Sequence, residues 1–437
     1  MKKFRWSIAT IVALATLLHS GLLQAQVPSY EDLYDPFQVR NLNFEIDPGD
    51  WSAVKNDGPS DTYEGYTVIK PAYFWSDDES KIIVSIKRKP NAANGDKVAL
   101  KIDINEYFDN LRWHGVKKLS LENGYDADAV TEGFAWFLHR QASGTGATDY
   151  QPPLASWVNI TVNGQLLGTY ANVEQVDKTF LRNRDQWVSG QTWLYKQGEV
   201  GPSELKSGDG NSPIFETLTY RPFVSKSDLP PADYTTQMNN LIDMEQMLTL
   251  GAINSFTGNY DELLTKGKNF FFADYAPGAG AEPGKRLYIP WDLDAVLGGS
   301  TATSIYDAKG NATDYREFIT DVPEYRALYN QIMLDLLDGP LSIEACSDFL
   351  DQLEPVLRDS LIADPNGKVG STPAEVASHF NSMKQWFADR HANVYQQVLD
   401  DMATASAPAA APEPSSVAIL GIATLATLRR RRKATSA

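Results

Sequence analysis

The sequence predicts an α+β protein with a β-rich amino-terminal part and a helical carboxy-terminal part. Residues 81–89, 98–105 and 116–123 alternate apolar and polar side chains, which is typical of half-buried strands. Residues 322–402 instead follow a helical pattern. Between the two parts, the segment 286–299 (RLYIPWDLDAVLGG) takes two aspartates to the end of an apolar strand.

The amino-terminal part begins with residues 27–69, whose Pro, Asp and Tyr content predicts an irregular lead-in with a short strand at 43–47. The spacing of apolar residues becomes helical over 126–142, where an aspartate near the start suits a helix amino terminus. Residues 155–176 predict a hairpin, because Asn163-Gly164 separates two apolar runs and favours a tight turn.

The middle of the chain alternates loops with regular segments. The Gly-, Ser- and Pro-rich residues 198–213 predict a mobile loop, and 239–258 predict a helix. Two strands are expected at 268–275 and 285–294, separated by the flexible sequence APGAGAEPG. The two aspartates of the acidic segment would then end the second of these strands.

The amino terminus has the pattern of a secretory signal peptide over residues 1–26. Basic residues precede the apolar stretch Ile8–Leu18, and small residues follow it, as a signal peptidase requires. The apolar stretch is short for a membrane-spanning helix, which needs roughly 20 residues. The sequence therefore predicts an exported protein.

The sequence of the carboxy terminus predicts a second targeting signal. A Pro/Ala linker at 404–411 leads into 412–437, which contains the apolar segment Val417–Leu428 and the basic cluster Arg429–Lys433. With the motif Pro412-Glu413-Pro414, this tail resembles the PEP-CTERM sorting signal, which an exosortase cuts in Gram-negative bacteria. Transient membrane contact through the apolar segment is expected, and a plain carboxy-terminal anchor is the alternative.

Composition limits the classes of partner. The chain has 39 basic and 56 acidic residues, and its formal charge of −17 disfavours nucleic acid and anionic lipid as partners. Cys346 is the single cysteine, so neither an intrachain disulfide nor a zinc–thiolate cluster can form.

Four oxygen-bearing side chains are candidates for a metal site. Asp261 follows a predicted helix, Asn269 begins a strand, and Asp292 and Asp294 end the next strand. Antiparallel pairing of the two strands would place Asn269 beside Asp292. Amide and carboxylate oxygens are ligands that Mg²⁺ accepts while it keeps positions for water and phosphate. The alternative is that these acids cap neighbouring loops.

Five blocks stand in order over about residues 70–385: VKKLSLENGYDADAVTEGFAWFLHRQAS, WVNITVNGQLLGTYANVEQVDKTFL, TWLYK, NYDELLTKGKNFFFADY and LYIPWDLDAVLGG. Together they resemble the spore coat protein H family of atypical kinases, and residues 70–403 are assigned to such a domain. The hairpin block is the most diagnostic of the five. The resemblance implies an atypical protein-kinase-like fold with a β-rich amino-terminal lobe and a helical carboxy-terminal lobe.

The resemblance also implies ATP with Mg²⁺ (or Mn²⁺) as cofactors and Ser or Thr of a protein as acceptor. Carried over by position, Asp261 is the catalytic aspartate that orients or deprotonates the attacking hydroxyl. Asn269 and Asp292 are expected metal ligands, and Asp294 is a further candidate. Phosphoryl transfer depends mainly on positioning and charge neutralisation, which these residue types supply.

A cation on the phosphates is also required. Lys118 on a predicted strand and Lys196 after TWLY are the candidates, because lysine binds phosphate as a point charge. A solvated edge lysine is the alternative for each. The chain has Glu132 in the helix's first turn, where the family usually carries a basic residue.

Three functions fit the sequence. The first is an exported protein kinase at the cell envelope, outer surface or extracellular matrix of a Gram-negative bacterium. The second is a catalytically inactive surface or matrix protein that keeps the same fold. The third is a calcium-stabilised binding module that uses the same acids.

Overall fold

The computed structural model describes residues 30–58, 67–90, 93, 95–143, 150–198, 202–222, 224, 228–278, 284–306, 316, 319–320 and 322–406. The predicted signal peptide and sorting signal, with its apolar segment, lie outside these residues. No helix within the described residues is both long enough and apolar enough to cross a bilayer. The chain divides into two compact units at Val398. The described part of the second unit is the end of the last helix.

The first part of the fold is a closed barrel. Its strands are β1 (Arg40–Glu45), β2 (Lys70–Ser76), β3 (Ile82–Arg88), β4 (Leu100–Asp103), β5 (Lys118–Glu122), β6 (Ala155–Val162) and β7 (Gln165–Glu174). They follow the order β1-β2-β3-β4-β5-β7-β6, and β1 closes the barrel by pairing parallel to β6. Alternate side chains of each strand, such as Phe74, Ile86 and Leu121, fill the interior.

A second sheet follows, in the order β11-β10-β8-β9. Its strands are β8 (Thr192–Gln197), β9 (Glu204–Ser207), β10 (Phe270–Tyr275) and β11 (Arg286–Pro290). Every residue of β10 and β11 is buried, and most of their side chains are apolar or aromatic. The prediction of a loop over 198–213 is wrong for β9, because Leu205 pairs with Tyr195 and extends the sheet. Of that loop, residues 199–201 are outside the described chain.

The helices are α1 (Tyr30–Leu33), α2 (Pro48–Lys55), α3 (Ala129–Gln141), α4 (Lys178–Arg182), α5 (Pro213–Thr217), α6 (Pro231–Leu241), α7 (Met244–Thr257), α8 (Leu263–Lys266), α9 (Pro323–Asp338), α10 (Ile343–Ala363) and α11 (Pro373–Ser406). The single helix predicted over 239–258 is two helices. The break falls at Ile242, which is extended and bridges to Arg286, and Asp243 caps α7 by accepting from the Gln246 amide.

The prediction of a mixed α and β protein with helices after residue 322 is confirmed. The hairpin is confirmed too, and Asn163 and Gly164 have the positive φ angles of 51° and 80° that a tight turn needs. The segment expected to be irregular, 27–69, contains α1, α2 and the barrel strand β1. Strand β1 forms in this segment because the side chains of Leu42 and Phe44 are part of the barrel core.

Helix α3 lies directly against the barrel at one glycine. A Cβ added to Gly133 would come within 2.3 Å of the Trp157 ring, and the Trp157 Nε1 donates to the Ala129 carbonyl at 2.8 Å. Any side chain at position 133 would therefore force the helix away from β6. This contact fixes the helix that carries Glu132 relative to the barrel.

We expect Gly133→Ala to lower the free energy of unfolding by about 1–3 kcal/mol, because overpacking at the Trp157 ring outweighs the better helix propensity of alanine. Urea unfolding followed by tryptophan fluorescence measures the change. Gly299→Ala is the matched control, since its Cβ would meet no atom within 4 Å. Equal midpoints for the two variants would contradict the close packing.

Candidate active site

The facing ends of β10 and β11 carry two of the predicted site residues. Phe270 pairs with Pro290, so Asn269, just before β10, and Asp292, just after β11, lie at the same edge. The expected antiparallel pairing is confirmed. Asn269 and Asp292 both have left-handed backbones, with φ angles of 57° and 63°. Asn and Asp tolerate this conformation better than other side chains, and such backbones cluster at functional sites.

Asp261 lies in direct contact with Asn269. The Asn269 Nδ2 donates to the Asp261 carbonyl at 2.9 Å and to its Oδ2 at 3.1 Å. Two ammonium groups also reach the carboxylate: Lys266 at 2.7 Å from Oδ1 and Lys268 at 3.0 Å from Oδ2. Although burial acts to raise it, these lysines hold the pKa of Asp261 below its usual range. Asp261 is therefore ionised at neutral pH.

The next residue anchors Asp261 to the protein interior. Glu262 caps α8 by accepting from the Thr265 amide at 2.9 Å, and the Asn254 Nδ2 donates to it at 3.2 Å. Asn254 in turn meets the buried His139 Nε2 at 3.2 Å. Burial raises the pKa of Glu262 to about 7 and lowers the pKa of His139 to about 3. This chain ties the short helix after Asp261 to α7 and α3.

A group of acidic side chains surrounds Asp292. Burial raises the pKa of Asp292, and Glu122 and Asp261 add to that effect. Burial, Asp292 and Asp126 raise the pKa of Asp294 to about 8. Burial and Glu122 raise the pKa of Glu132 well above its usual value. The carboxyl groups repel one another, so a cation among them would be strongly favoured.

Lys89 supplies positive charge to this group, and the sequence analysis did not identify it. Its ammonium pairs with Glu122, and their side chains are 17% and 11% exposed. Although burial acts to lower it, Glu122 raises the pKa of Lys89 above the usual value, and Asp292 adds to this effect. The available sequence signal was the basic triplet 87–89 at the end of a predicted strand.

A basic cavity of about 490 Å³ opens beside Lys89, between the outer face of the barrel and the second sheet. Trp291 and Phe271 form part of its wall. Its basic lining residues are Lys87, Arg88, Lys89, Lys101, Lys118, Lys196 and Lys206. The predicted acidic edge thus adjoins a cavity with the opposite charge.

Both lysines predicted to bind phosphate line this cavity. The Lys196 ammonium lies 5.5 Å from the Phe271 ring centre and 5.6 Å from that of Trp291. Burial lowers the pKa of Lys196, and the Asp292 carboxylate opposes that effect. Lys118 instead pairs with Asp103 at 2.9 Å, on the barrel face. Lys196 is therefore the one of the two that interacts electrostatically with Asp292.

A second cavity, of about 450 Å³, lies on the side of Asp294. Asp126, Tyr260 and Trp386 line it, together with Asn259. The buried Nδ2 of Asn259 has no hydrogen-bond partner among the described residues, while its Oδ1 accepts from the Asp261 amide at 3.0 Å. Asp126 and Asp294 of the acidic group thus line the second cavity, while Lys89, which pairs with Glu122, lines the basic one.

The oxygen donors suit Mg²⁺ bound together with phosphates. Among the described residues, no three His, Cys, Asp or Glu side chains converge into a complete metal cage. Mg²⁺ does not need one, because it keeps several waters and binds through one or two carboxylates plus substrate phosphates. The Asn269 Oδ1 accepts no hydrogen bond within the described chain, so this oxygen and the Asp292 carboxylate fit that pattern. Their roles as ligands stay a prediction.

We expect Lys89→Met to lower the free energy of unfolding by about 3 kcal/mol, because it leaves Glu122 buried without its cation. Lys118→Met is the matched control on the neighbouring part of the barrel face. Its pair with Asp103 is more exposed, at 33% and 18%, so a loss below about 1 kcal/mol is expected. Urea unfolding at pH 7 measures both.

The double variant Lys89→Met/Glu122→Gln tests the cause. Removing the carboxylate charge together with the ammonium should restore part of the loss, as a coupled buried pair requires. Equal losses for the two single lysine variants, or no recovery in the double variant, would show that the Lys89 pair is not a stabilising element.

Comparison with known proteins supports a family assignment. The family described as "CotH kinase protein" matches residues 91–394, well over half of the 437-residue chain. Inner spore coat protein H of Bacillus subtilis (strain 168) is 22% identical over 234 residues, which cover 49% of this chain and 62% of that protein. The alignment thus spans less than two thirds of the relative's length. By the extent of the family match, the chain belongs to the CotH kinase protein family.

Proposed function

We propose that this chain is an exported protein kinase that transfers phosphate from ATP, with Mg²⁺ or Mn²⁺, to Ser or Thr of surface or extracellular proteins. The observation that carries the proposal is the position of Asp261, Asn269 and Asp292 at one sheet edge beside a lysine-lined cavity. Oxygen donors for a divalent ion and cations for phosphates are the two requirements of phosphoryl transfer.

The family and its spore coat relative support the kinase-like and surface-associated parts of the proposal. In this interpretation the barrel is the amino-terminal lobe, and the second sheet with the helices is the carboxy-terminal lobe. The nucleotide then binds between them, where the basic cavity lies. The name of the relative and the predicted export signals support a coat or surface location.

Each side chain has a role in the proposed reaction. A divalent ion held by Asn269 and Asp292, with Asp294 as a further ligand, would neutralise charge on the transferred phosphoryl group. Lys89 and Lys196 hold the phosphates electrostatically. Asp261 accepts a hydrogen bond from the acceptor hydroxyl and takes its proton as the new P–O bond forms. Lys266 and Lys268 keep Asp261 ionised for that step.

The second cavity provides a route for the acceptor. Asp294 lies in its wall, and Asn259 and Tyr260, which precede Asp261, lie there too. A hydroxyl group that enters this cavity would approach Asp261 past Asn259 and Tyr260. Donor and acceptor then meet across the acidic group, as an in-line transfer requires.

Nucleotide binding should raise the melting temperature of the full chain by a few degrees only when ATP and Mg²⁺ are both present, because binding stabilises the folded state. Asp292→Ala should abolish that shift. Asp348→Ala, which removes an exposed acid from α10, is the control and should leave it intact. Scanning fluorimetry with ATP, Mg²⁺ and both together makes the measurement.

Catalysis is tested separately from binding. Asp261→Asn should keep the ATP-dependent shift but reduce phosphate transfer to a Ser/Thr protein acceptor by roughly 10²–10⁴-fold, since it removes the base. Stabilisation by Ca²⁺ alone would favour the binding-module alternative. A chain indifferent to nucleotide and to Ca²⁺ would favour the inactive structural protein.

A further inference from the structure

The outer face of the barrel carries a row of lysines that continues beyond the proposed phosphate site. Lys87 on β3 lies directly opposite Lys101 on β4, and the next outward-facing pair is Asp103 and Lys118. Lys89 lies two residues after Lys87, at the end of the row away from Asp103 and Lys118. Lys118 and Glu122 stand at opposite ends of β5, and the usual rise per strand residue puts them about 13 Å apart. The row therefore runs along the cavity and is not confined to one end.

The middle of this row lacks compensating negative charge. Among the residues that the structure describes, no carboxylate forms an ion pair with Lys87 or Lys101. Like charges directly opposite each other destabilise a sheet. Burial and the neighbouring Lys118 and Lys87 lower the pKa of Lys101 to about 7. Asp177, the carboxylate among the described lining residues, already caps α4. An anion between these lysines would relieve the repulsion.

ATP would use only part of this distribution of charge. A nucleoside triphosphate has its phosphates at one end, where Lys89, Lys196 and the metal-binding edge would hold them. Its other end is an uncharged nucleoside, which the Phe271 and Trp291 rings can contact but which offers no negative charge to the lysine row. A ligand with negative charge along its whole length matches the row better.

We propose that the cavity binds linear inorganic polyphosphate longer than a triphosphate and that the chain uses it as a phosphoryl donor. Its terminal phosphate lies at the metal-binding edge, and the rest of the chain follows Lys87, Lys101 and Lys118. This inference rests on the proposed phosphotransferase function and names a donor for the same site.

The transfer is balanced without any redox partner. The bond between the terminal phosphorus and its bridging oxygen breaks, and a bond from that phosphorus to the acceptor hydroxyl oxygen forms. The hydroxyl proton passes to Asp261 and then to solvent. The bridging oxygen keeps the electron pair of the broken bond, and the polyphosphate leaves one phosphate shorter.

Binding is tested by calorimetry on the full chain with Mg²⁺, at physiological salt, using ATP, tripolyphosphate and long-chain polyphosphate. Lys87→Gln/Lys101→Gln should weaken long-chain binding by about tenfold or more and ATP binding by no more than about threefold, because only the longer ligand reaches both lysines. The variant should melt at the same temperature or higher, since it removes a repulsion.

Lys70→Gln/Lys384→Gln is the matched control, because it removes the same charge from two surface lysines that pair with Asp50 and Asp351 away from the cavity. It should change long-chain binding by less than about twofold. Equal weakening by the two double variants, or equal weakening of ATP and polyphosphate by the cavity variant, would overturn the proposal. Absence of long-chain binding to the unmodified chain would also overturn it.

Donor use is followed by ³¹P NMR of a Ser/Thr protein acceptor. Transfer from both ATP and polyphosphate, or from polyphosphate alone, supports the proposal. Transfer from ATP alone refutes the polyphosphate donor and leaves the proposed kinase function standing. No transfer from either donor refutes the kinase function, and with it the donor role, even where lysine-dependent binding persists.

Discussion

The ion pair between Lys89 and Glu122 is the interaction on which the rest of the site depends. Several carboxyl groups lie close together at this point, and each raises the pKa of others. Such a group is unfavourable in a folded protein unless a cation accompanies it. Lys89 directly follows β3, Glu122 ends β5, and Asp292 lies just after β11. The same electrostatic contact therefore links the barrel to the second sheet and sets the charge of the site.

The second sheet holds Asp292 in place through its opposite end. The Arg286 guanidinium binds the Asp274 carboxylate at 2.6 and 2.8 Å, and both side chains are fully buried. The two residues are register partners on β11 and β10, so this bidentate pair fixes how the strands align. The other end of the same two strands places Asn269 and Asp292. The ion-paired end of β10 and β11 thus supports the opposite end, where Asn269 and Asp292 have strained left-handed backbones.

Features set by local sequence could be predicted, and features set by distant contacts could not. The Asn163-Gly164 hairpin and the pairing that brings Asn269 towards Asp292 depend on turn chemistry and alternation within one stretch. Barrel closure depends on β1 pairing with β6, far along the chain, which alternation does not specify. Lys89 was missed for the same reason, since its importance arises from Glu122 and Asp292, which only the fold brings near.

The positions of the two cavities determine what the acidic group can do. A metal site needs only one approach, but two cavities adjoin this group, the basic one lined by Lys89 and the second lined by Asp294. That arrangement suits transfer between two ligands better than storage of one ion. The lysine row favours a first ligand that is anionic along its length. A donor of that kind would also suit the proposed export of this chain, because ATP is scarce outside the cytoplasm and an inorganic polyanion needs no nucleoside pocket.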